Sequence, residues 1–406
     1  MGLVPLEEAQ GYVTDACSRL APATAPLAGA LGQVSAERVV ATEAVPPFDN
    51  SAMDGYAVRA ADTAGAPVVL SVVATLAAGS PTSVPVGPGE AIRIMTGAPV
   101  PEGADAVVMV EHTSSRSEGR QVEVRTEVSP GAAIRRAGED LAPGDVVVDP
   151  GTPLTAAHLG VLASVGVAEL SVFPRARVGV LSTGDELVSG PAPLLPGQIR
   201  DSNRPTLLGM VAEAGCEAVD LGSANDDEAS MSEAFDVAAR RCDAVVTSGG
   251  VSMGDFDLVK VVLDRLGDMR WMQVAVKPAK PLAFGVIAAT PVFGLPGNPV
   301  SSMVSFELFA RPALRKMMGF PATTWRRPLL AAVAEEPLER RPDGKTHLVR
   351  VIAVLDDDGR YRVRPVRGQG SHQLAAMASA NALAVLGDGG GVARGEAVRV
   401  MVLSSS

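Results

Sequence analysis

The sequence predicts a multidomain α/β plus β protein. Its centre is a doubly wound, mostly parallel α/β domain; a helical N-terminal segment and an inserted β-rich domain precede it, and a β-barrel-like domain follows. Three observations carry this reading. From Arg177 onward, apolar strand-like runs alternate with helical stretches at the spacing of βαβ units. Between residues 59 and 140, short β-branched runs are separated by Gly and Pro clusters. The chain has 406 residues, 47% hydrophobic and 20% charged. At roughly 150 residues per domain, that length holds several independently cored units.

In chain order, Leu6, Ala9, Val13, Ala16, Cys17 and Leu20 recur near helical spacing and predict an opening helix. PPFDNSAMDGYAV (46–58) then breaks the pattern with turn residues. VVLSVV (68–73), AIRIM (91–95), AVVMV (106–110) and QVEVRTEV (121–128) read as strands of the inserted domain, and TAAHLGVLASV (155–165) as a helix. VGVLS (178–182) is a buried-strand run. It is followed by a helix at about 203–214, AVDLG (218–222), a helix near 228–241, DAVVTS (243–248) and a helix near 256–266. Strands near 271–276, 282–287 and 291–295 and a closing helix at 300–318 complete the domain. YRVRPV (361–366) and AVRVMVL (397–403) mark the last, β-like segment. The expected division is 1–45 with 141–176, 46–140, 177–322 and 323–406.

Composition narrows the function. Lys and Arg number 35 against 46 Asp and Glu, a net charge of −11, which argues against nucleic acid or an anionic membrane as the main partner. Cys17, Cys216 and Cys242 are too scattered for a disulfide framework or a zinc knuckle. The start, MGLVPLEEAQ, has no basic stretch of a secretory signal, and Leu6 stands where a myristoylation signal needs Ser or Thr. The long uncharged stretch 281–306 is interrupted by Pro281, Pro291, Pro296 and Pro299, so a membrane helix is not expected there. A cytoplasmic location is expected. His112, His158, His347 and His372 all fall outside 177–322, which excludes a His-based triad within that domain. His158 reads as a packed helix residue, and Cys216 and Cys242, which precede strands, as buried structural thiols. GKT (344–346) is not a phosphate-binding P-loop, because Glu339 occupies the position of its first Gly, and GGVSMG (249–254) does not fit GxGxxG.

Ligands of open α/β sheets bind beyond the carboxyl ends of the strands, and those ends are rich here. TGDEL (183–187) carries Asp185 and Glu186, SANDDE (223–228) carries Asp226 and Asp227, and GGVSMGDFD (249–257) carries Asp255 and Asp257. KPAK (277–280) supplies Lys277 and Lys280, two of only five lysines in a chain that otherwise uses Arg. Ser248, Gly249 and Gly250 of TSGG, and Pro296, Gly297, Asn298 and Ser301 of PGNPVS, offer backbone N–H groups at expected helix starts, a setting that suits anions. Lysines neutralise a phosphate or other oxyanion, whereas carboxylates beside them make sense as ligands of Mg²⁺ that bridges phosphate oxygens. The residues therefore point to a phosphorylated ligand, a pyrophosphate by preference, taken with a divalent cation. For any single acid, capping of the following helix is an equally good explanation.

Nine stretches in order carry a family resemblance: PPFDNSAMDGYAV, MTGAPVP, RRAGED, STGDEL, IRDSNRPTL, TSGGVSMGD, KPAKP, GLPGNPVS and GQGSH. The chain resembles the molybdopterin molybdenumtransferases of the MoeA and gephyrin E-domain type, which implies an α/β domain of the molybdopterin-binding type. The resemblance implies an enzyme that inserts molybdate into adenylylated molybdopterin with Mg²⁺ and releases AMP. It further implies a homodimer, with possible contacts to the adenylylating enzyme and to recipient molybdoenzymes. It assigns Asp54, Thr96 and Asp140 to the cleft from the inserted domain, and Glu186, Asp226 and Asp257 to the acidic, metal-holding set. It assigns Lys277, Lys280 and Ser301 to molybdate or the adenylate phosphate, and Ser371 to an approach from the last domain. GKTHLVR (344–350) places Lys345 where an Arg is usual and Arg350 at the second basic position, leaving open which of the two meets the oxyanion. Ala279 stands where Gly is common, a change expected to matter little. Molybdopterin adenylylation and a non-catalytic dimeric scaffold are the alternatives.

Overall fold

The structure is a computed structural model, and it describes residues 2–80, 84–250 and 258–403. The central sheet has the strand order Glu217–Ala224, Arg177–Thr183, Ala244–Ser248, Thr290–Leu295, Pro281–Ile287, Asp268–Gln273. The first four strands are parallel. Pro281–Ile287 runs against them, and Asp268–Gln273 runs against it in turn. Asp268–Gln273 therefore points the same way as the parallel four, and five strands end along one edge. Ala244–Ser248 and Thr290–Leu295 are buried at every residue because helices cover both faces of the sheet. Val178, Val180 and Val246 meet Asn203–Glu213 and the closing helix, while Leu181 and Val245 meet Glu228–Arg241 and Leu258–Leu266.

The closing helix runs Pro299–Ser305, widens into a π turn at Phe306–Ala310 and continues as Arg311–Met317. Gln10 of the opening helix Leu6–Ala16 donates its Nε2 to the Leu308 carbonyl at 3.1 Å, inside that widened turn. A side chain bonded into the helix ladder accounts for such a bulge. Ala9, Val13 and Cys17 place the opening helix on the same core. All three cysteines are free and buried, and burial pushes the thiols of Cys17 and Cys216 up to about 12.

Ala23–Pro26 and Val34–Ser35 flank Glu169–Phe173 in a small antiparallel sheet. The helix Ala156–Ser164 starts with a capping box, in which Thr155 accepts from the His158 N–H and the Thr155 N–H donates to His158 Nδ1 at 3.1 Å. His158 is therefore a capping residue rather than a packed one.

The inserted domain holds a six-stranded sheet in the order Ala106–Met109, Gly55–Val58, Glu90–Ile94, Val68–Leu76, Gln121–Val124, Thr113–Arg116. The sequence reading of 46–58 as a turn fails at its end, because Gly55–Val58 is an inner strand, buried throughout. Tyr56 and Val58 face one apolar cluster and Ala57 the other, an alternation too short to stand out from the polar residues before it.

The last domain is a closed barrel. Thr346–Leu355, Tyr361–Pro365, Leu329–Ala334, Ala397–Val402 and Ala382–Leu386 pair in that order, and the last pairs back to the first. A short strand that leaves the α/β domain, Val276–Lys277, joins the start of Thr346–Leu355 in parallel, with Val276 opposite Thr346 and Lys277 opposite His347. Among the described residues, no helix is long and apolar enough to cross a membrane.

Candidate active site

At the sheet edge, the loops after three strands are drawn together. Gly249 has φ +102°, and a Cβ there would sit 2.9 Å from the Thr183 carbonyl oxygen and 3.0 Å from Thr183 Oγ1, so only glycine fits. Asn203 donates its Nδ2 to Ser248 Oγ at 2.6 Å and to the Gly297 carbonyl at 2.7 Å, pinning TSGG to PGNP. A small cleft of about 100 Å³ opens between Thr183, Glu186, Asn203, Ser248, Gly249 and Gly297. Pro296 is buried, and Asn298 precedes the helix that starts at Pro299 without a side-chain cap bond. Leu258–Leu266 is helical, and residues 251–257, between it and TSGG, lie outside the described residues. Asp255 and Asp257 lie outside the described residues.

Of the acids, Glu186 folds over Gly184. Asp226 and Asp185 are tied reciprocally: the Asp226 N–H donates to Asp185 Oδ1 at 3.0 Å, and the Asp185 N–H to Asp226 Oδ2 at 3.4 Å. Asp227 caps its helix, accepting from the Ser230 N–H at 2.9 Å. Among the described residues, no group of three or more His, Cys, Asp or Glu is placed to hold a metal ion. Glu186 and Asp226 offer oxygen donors on neighbouring strand ends, which suits a hard cation such as Mg²⁺.

The larger cavity, about 780 Å³, lies between the α/β domain and the barrel. Lys277, Lys280, Ser301, Lys345, His347 and Ser371 all line it. The Val300 N–H, in the first turn of the closing helix, donates to the Ser371 carbonyl at 3.0 Å, which docks the GQGSH loop on that helix. Among the described residues, neither the Lys277 nor the Lys280 ammonium has a hydrogen-bond or ion-pair partner. The other lysines are engaged. Lys316 donates to the Thr14 carbonyl, Lys260 lies over Trp271, and Lys345 pairs with Asp343 at 3.1 Å. Asp343 also binds His347 Nε2 through both oxygens, each at 3.1 Å, and Arg340 at 3.0 Å. These bonds, His347 first and Lys345 next, hold its carboxyl down at about 2.

Arg350 does not line this cavity. It is 1% exposed and donates Nη2 to the carbonyls of Gly368 (2.7 Å) and Gly370 (3.2 Å), while Gln369 clasps its backbone. Of the two basic positions, Lys345 faces the cavity and Arg350 holds the loop that carries Ser371.

The inserted-domain motifs converge on one exposed surface. Asn50 pairs with Arg135, the Val100 N–H donates to the Asp49 carbonyl, and the Asp140 N–H donates to Val45. Asp54 accepts from both the N–H and the Oγ1 of Thr96 at 2.7 Å, and these bonds lower its carboxyl below the ordinary range. Asp54, Thr96 and Asp140 line neither of the two cavities above.

Three family models cover the chain in order: the MoeA N-terminal region (domains I and II) over 4–166, a probable molybdopterin binding domain over 179–316, and the MoeA C-terminal region (domain IV) over 332–403. Molybdopterin molybdenumtransferase of Haemophilus influenzae is 40% identical over 91% of both chains. Molybdopterin molybdenumtransferase 2 of Mycobacterium tuberculosis is 44% identical over 93% of this chain and 94% of its own, and copy 1 of that organism is 34% identical over 98% and 99%. The crystal structure of the molybdopterin biosynthesis MoeA protein from Pyrococcus horikoshii superposes with a TM-score of 0.80 at 30% identity, covering 99% of this chain and 100% of that one. The chain belongs to the molybdopterin molybdenumtransferase family.

Within this family fold, the structure adds residues that sequence reasoning missed. Asn203 lies in the IRDSNRPTL stretch and ties two strand-end loops. Asp343 and His347 reach the cavity because Val276–Lys277 pairs with a barrel strand far along the chain, and no local pattern announces that pairing. Ala279, which stands where Gly is common, is buried with φ +78°. That left-handed conformation is the physical reason for glycine there, so alanine carries strain.

Proposed function

We propose that this chain transfers molybdenum from molybdate to adenylylated molybdopterin with Mg²⁺ and releases AMP, working as a cytoplasmic homodimer. The observation that carries the reading is the pair of ammoniums, Lys277 and Lys280, without partners among the described residues and facing one cavity beside Ser301 and Ser371. A cavity of that charge takes a small dianion, and a chain with a net charge of −11 needs such a local cationic patch to attract one.

The dithiolene sulfurs belong to the substrate, so no protein nucleophile is required. The protein binds, orients and neutralises. Ser248, Gly249 and Gly297 frame the small cleft for the phosphate-bearing part, and Glu186 and Asp226 would hold Mg²⁺, with Asp257 as the third carboxylate. Bound there, Mg²⁺ would supply charge neutralisation at the pyrophosphate oxygens. In the homodimer, the Asp54, Thr96 and Asp140 surface would close the cleft of the other subunit.

The test is AMP release from adenylylated molybdopterin by the purified chain with Mg²⁺, plus and minus molybdate. Molybdate-stimulated release, with molybdenum recovered on the pterin and loss of both on chelation of Mg²⁺, is expected. Tight retention of the adenylate with no release under any of these conditions would overturn the transferase reading in favour of a scaffold.

A further inference from the structure

We infer that His347, oriented by Asp343, is the proton-transfer residue of the lysine cavity and passes the protons of metal insertion from the sulfurs to the departing oxo group. The inference rests on the transferase reading and deepens it. Insertion into the dithiol form joins R(SH)₂ to MoO₄²⁻ to give RS₂MoO₃²⁻ and water. Two Mo–S bonds form, and one Mo–O bond and two S–H bonds break. Both protons end on the leaving oxygen, and molybdenum stays hexavalent. An oxo group leaves poorly until it has taken them up. Ammonium groups bind the anion but hold their protons too tightly to relay them near neutral pH, whereas imidazole both gives and accepts there.

The geometry singles out His347. It lines the same cavity as Lys277 and Lys280. Lys277 is its register partner in the parallel pairing of Val276–Lys277 with Thr346–Leu355, and both side chains line the cavity. Its Nε2 lies 3.1 Å from both oxygens of Asp343, which fixes the ring, and Nδ1 makes no hydrogen bond among the described residues. This is an orienting carboxylate behind a histidine with its second nitrogen free, the arrangement that general acid–base residues use. The charged groups around it are Asp343 and Lys345 on its own segment, Arg340 behind Asp343, and Lys277 and Lys280 opposite; Glu339 and Arg341 also line the cavity.

The experiment is single-turnover insertion. The full chain is loaded with adenylylated molybdopterin and Mg²⁺, mixed with molybdate and quenched, and molybdenum on the pterin is counted. His347→Ala should slow the step by at least about a hundredfold. The molybdate concentration for half-maximal rate should stay within about threefold, and added imidazole should restore a large part of the rate to the variant but not to the parent chain. His347→Gln, which keeps a hydrogen-bonding side chain on Asp343, should show the same loss and guards against a collapsed cavity. A variant rate within threefold of the parent, a loss that more molybdate repairs, or a loss that imidazole leaves untouched overturns the role of His347 while the transferase reading stands. A parent chain that inserts no molybdenum removes both.

Discussion

Two polar surfaces of this molecule use the same residue types in opposite ways. On the inserted domain Asp49 and Asp54 are already answered. Asp49 binds Arg136 Nη1 at 2.5 Å and the Ala137 N–H at 2.8 Å, and Asp54 takes two bonds from Thr96. In the cavity between the α/β domain and the barrel, two ammoniums have no partner among the described residues, while one carboxylate, Asp343, serves Lys345, His347 and Arg340. The first surface is complete in itself and can only present a fixed shape. The second gathers cationic side chains around an open cavity. Both lysines are exposed and open to solvent, so their charge is available to an anion in the cavity, whereas Asp49 and Asp54 are already committed to protein donors.

The sharpest way to break this contrast is to remove the unpaired charges. Lys277→Ala and Lys280→Ala should each raise the molybdate requirement of AMP release tenfold or more, taking about 1.5–3 kcal/mol for a hydrogen bond to a charged group. Because neither ammonium has a partner among the described residues, the urea midpoint should not move. A molybdate titration unchanged in both variants would remove the lysines from the oxyanion site. Arg350→Met is the converse case. It strands the carbonyls of Gly368 and Gly370, at about 1–3 kcal/mol for an unsatisfied buried group, but it also relieves a buried guanidinium whose Nε and Nη1 have no partner. We expect a net loss of about 1–3 kcal/mol in urea unfolding, accompanied by reduced turnover because the Ser371 loop is no longer held. A variant of parental stability would show that the loop is held without the guanidinium, by Gln369 and Val300.

The parallel strands were legible because burial on both faces leaves unbroken apolar runs, as in Ala244–Ser248. Placing chemistry at their ends needed only the rule that ligands sit there. Gly55–Val58 was hidden by its length, and its inner position depends on partners at 90–94 and 106–109 that no local pattern encodes. His347 was set aside because all four histidines fall outside 177–322; the pairing of 276–277 with 346–347 crosses that division. Lys345 and Arg350 looked equivalent as charges, and only burial separates them. What the sequence conceals is long-range pairing and the direction of side chains.

Asp54→Asn probes the completed surface and should change stability little, since an amide oxygen still accepts from Thr96. The pH response sharpens the point. Asp54 is held below the ordinary carboxyl range, so its stabilising contribution is full above that range and is lost as pH falls through its lowered value. The asparagine variant should therefore match the parent near neutral pH and show a shallower loss of stability on acidification. Identical acid limbs for the two chains would mean that the Thr96 bonds do not hold in solution.

Ala279→Gly should have the smallest effect on stability, and its size follows from opposing terms. Releasing a left-handed alanine gains roughly 1–2 kcal/mol. Against this stand the loss of a buried methyl, about 0.8 kcal/mol, and the greater freedom of glycine in the unfolded chain, about 0.4–1 kcal/mol. The terms nearly cancel, so the urea midpoint should correspond to a change within about 1 kcal/mol. The Val274 N–H bond to the Lys280 carbonyl at 2.7 Å and the pairing of Val276–Lys277 with the barrel strand still hold the turn, and glycine loosens only the segment between them. Lys277 and Lys280 would then hold their anion less firmly, and molybdate half-saturation should rise modestly while stability stays level. A variant stabilised by well over 1 kcal/mol with unchanged molybdate affinity would show instead that strain at residue 279 is simply borne by the fold and does nothing for the cavity.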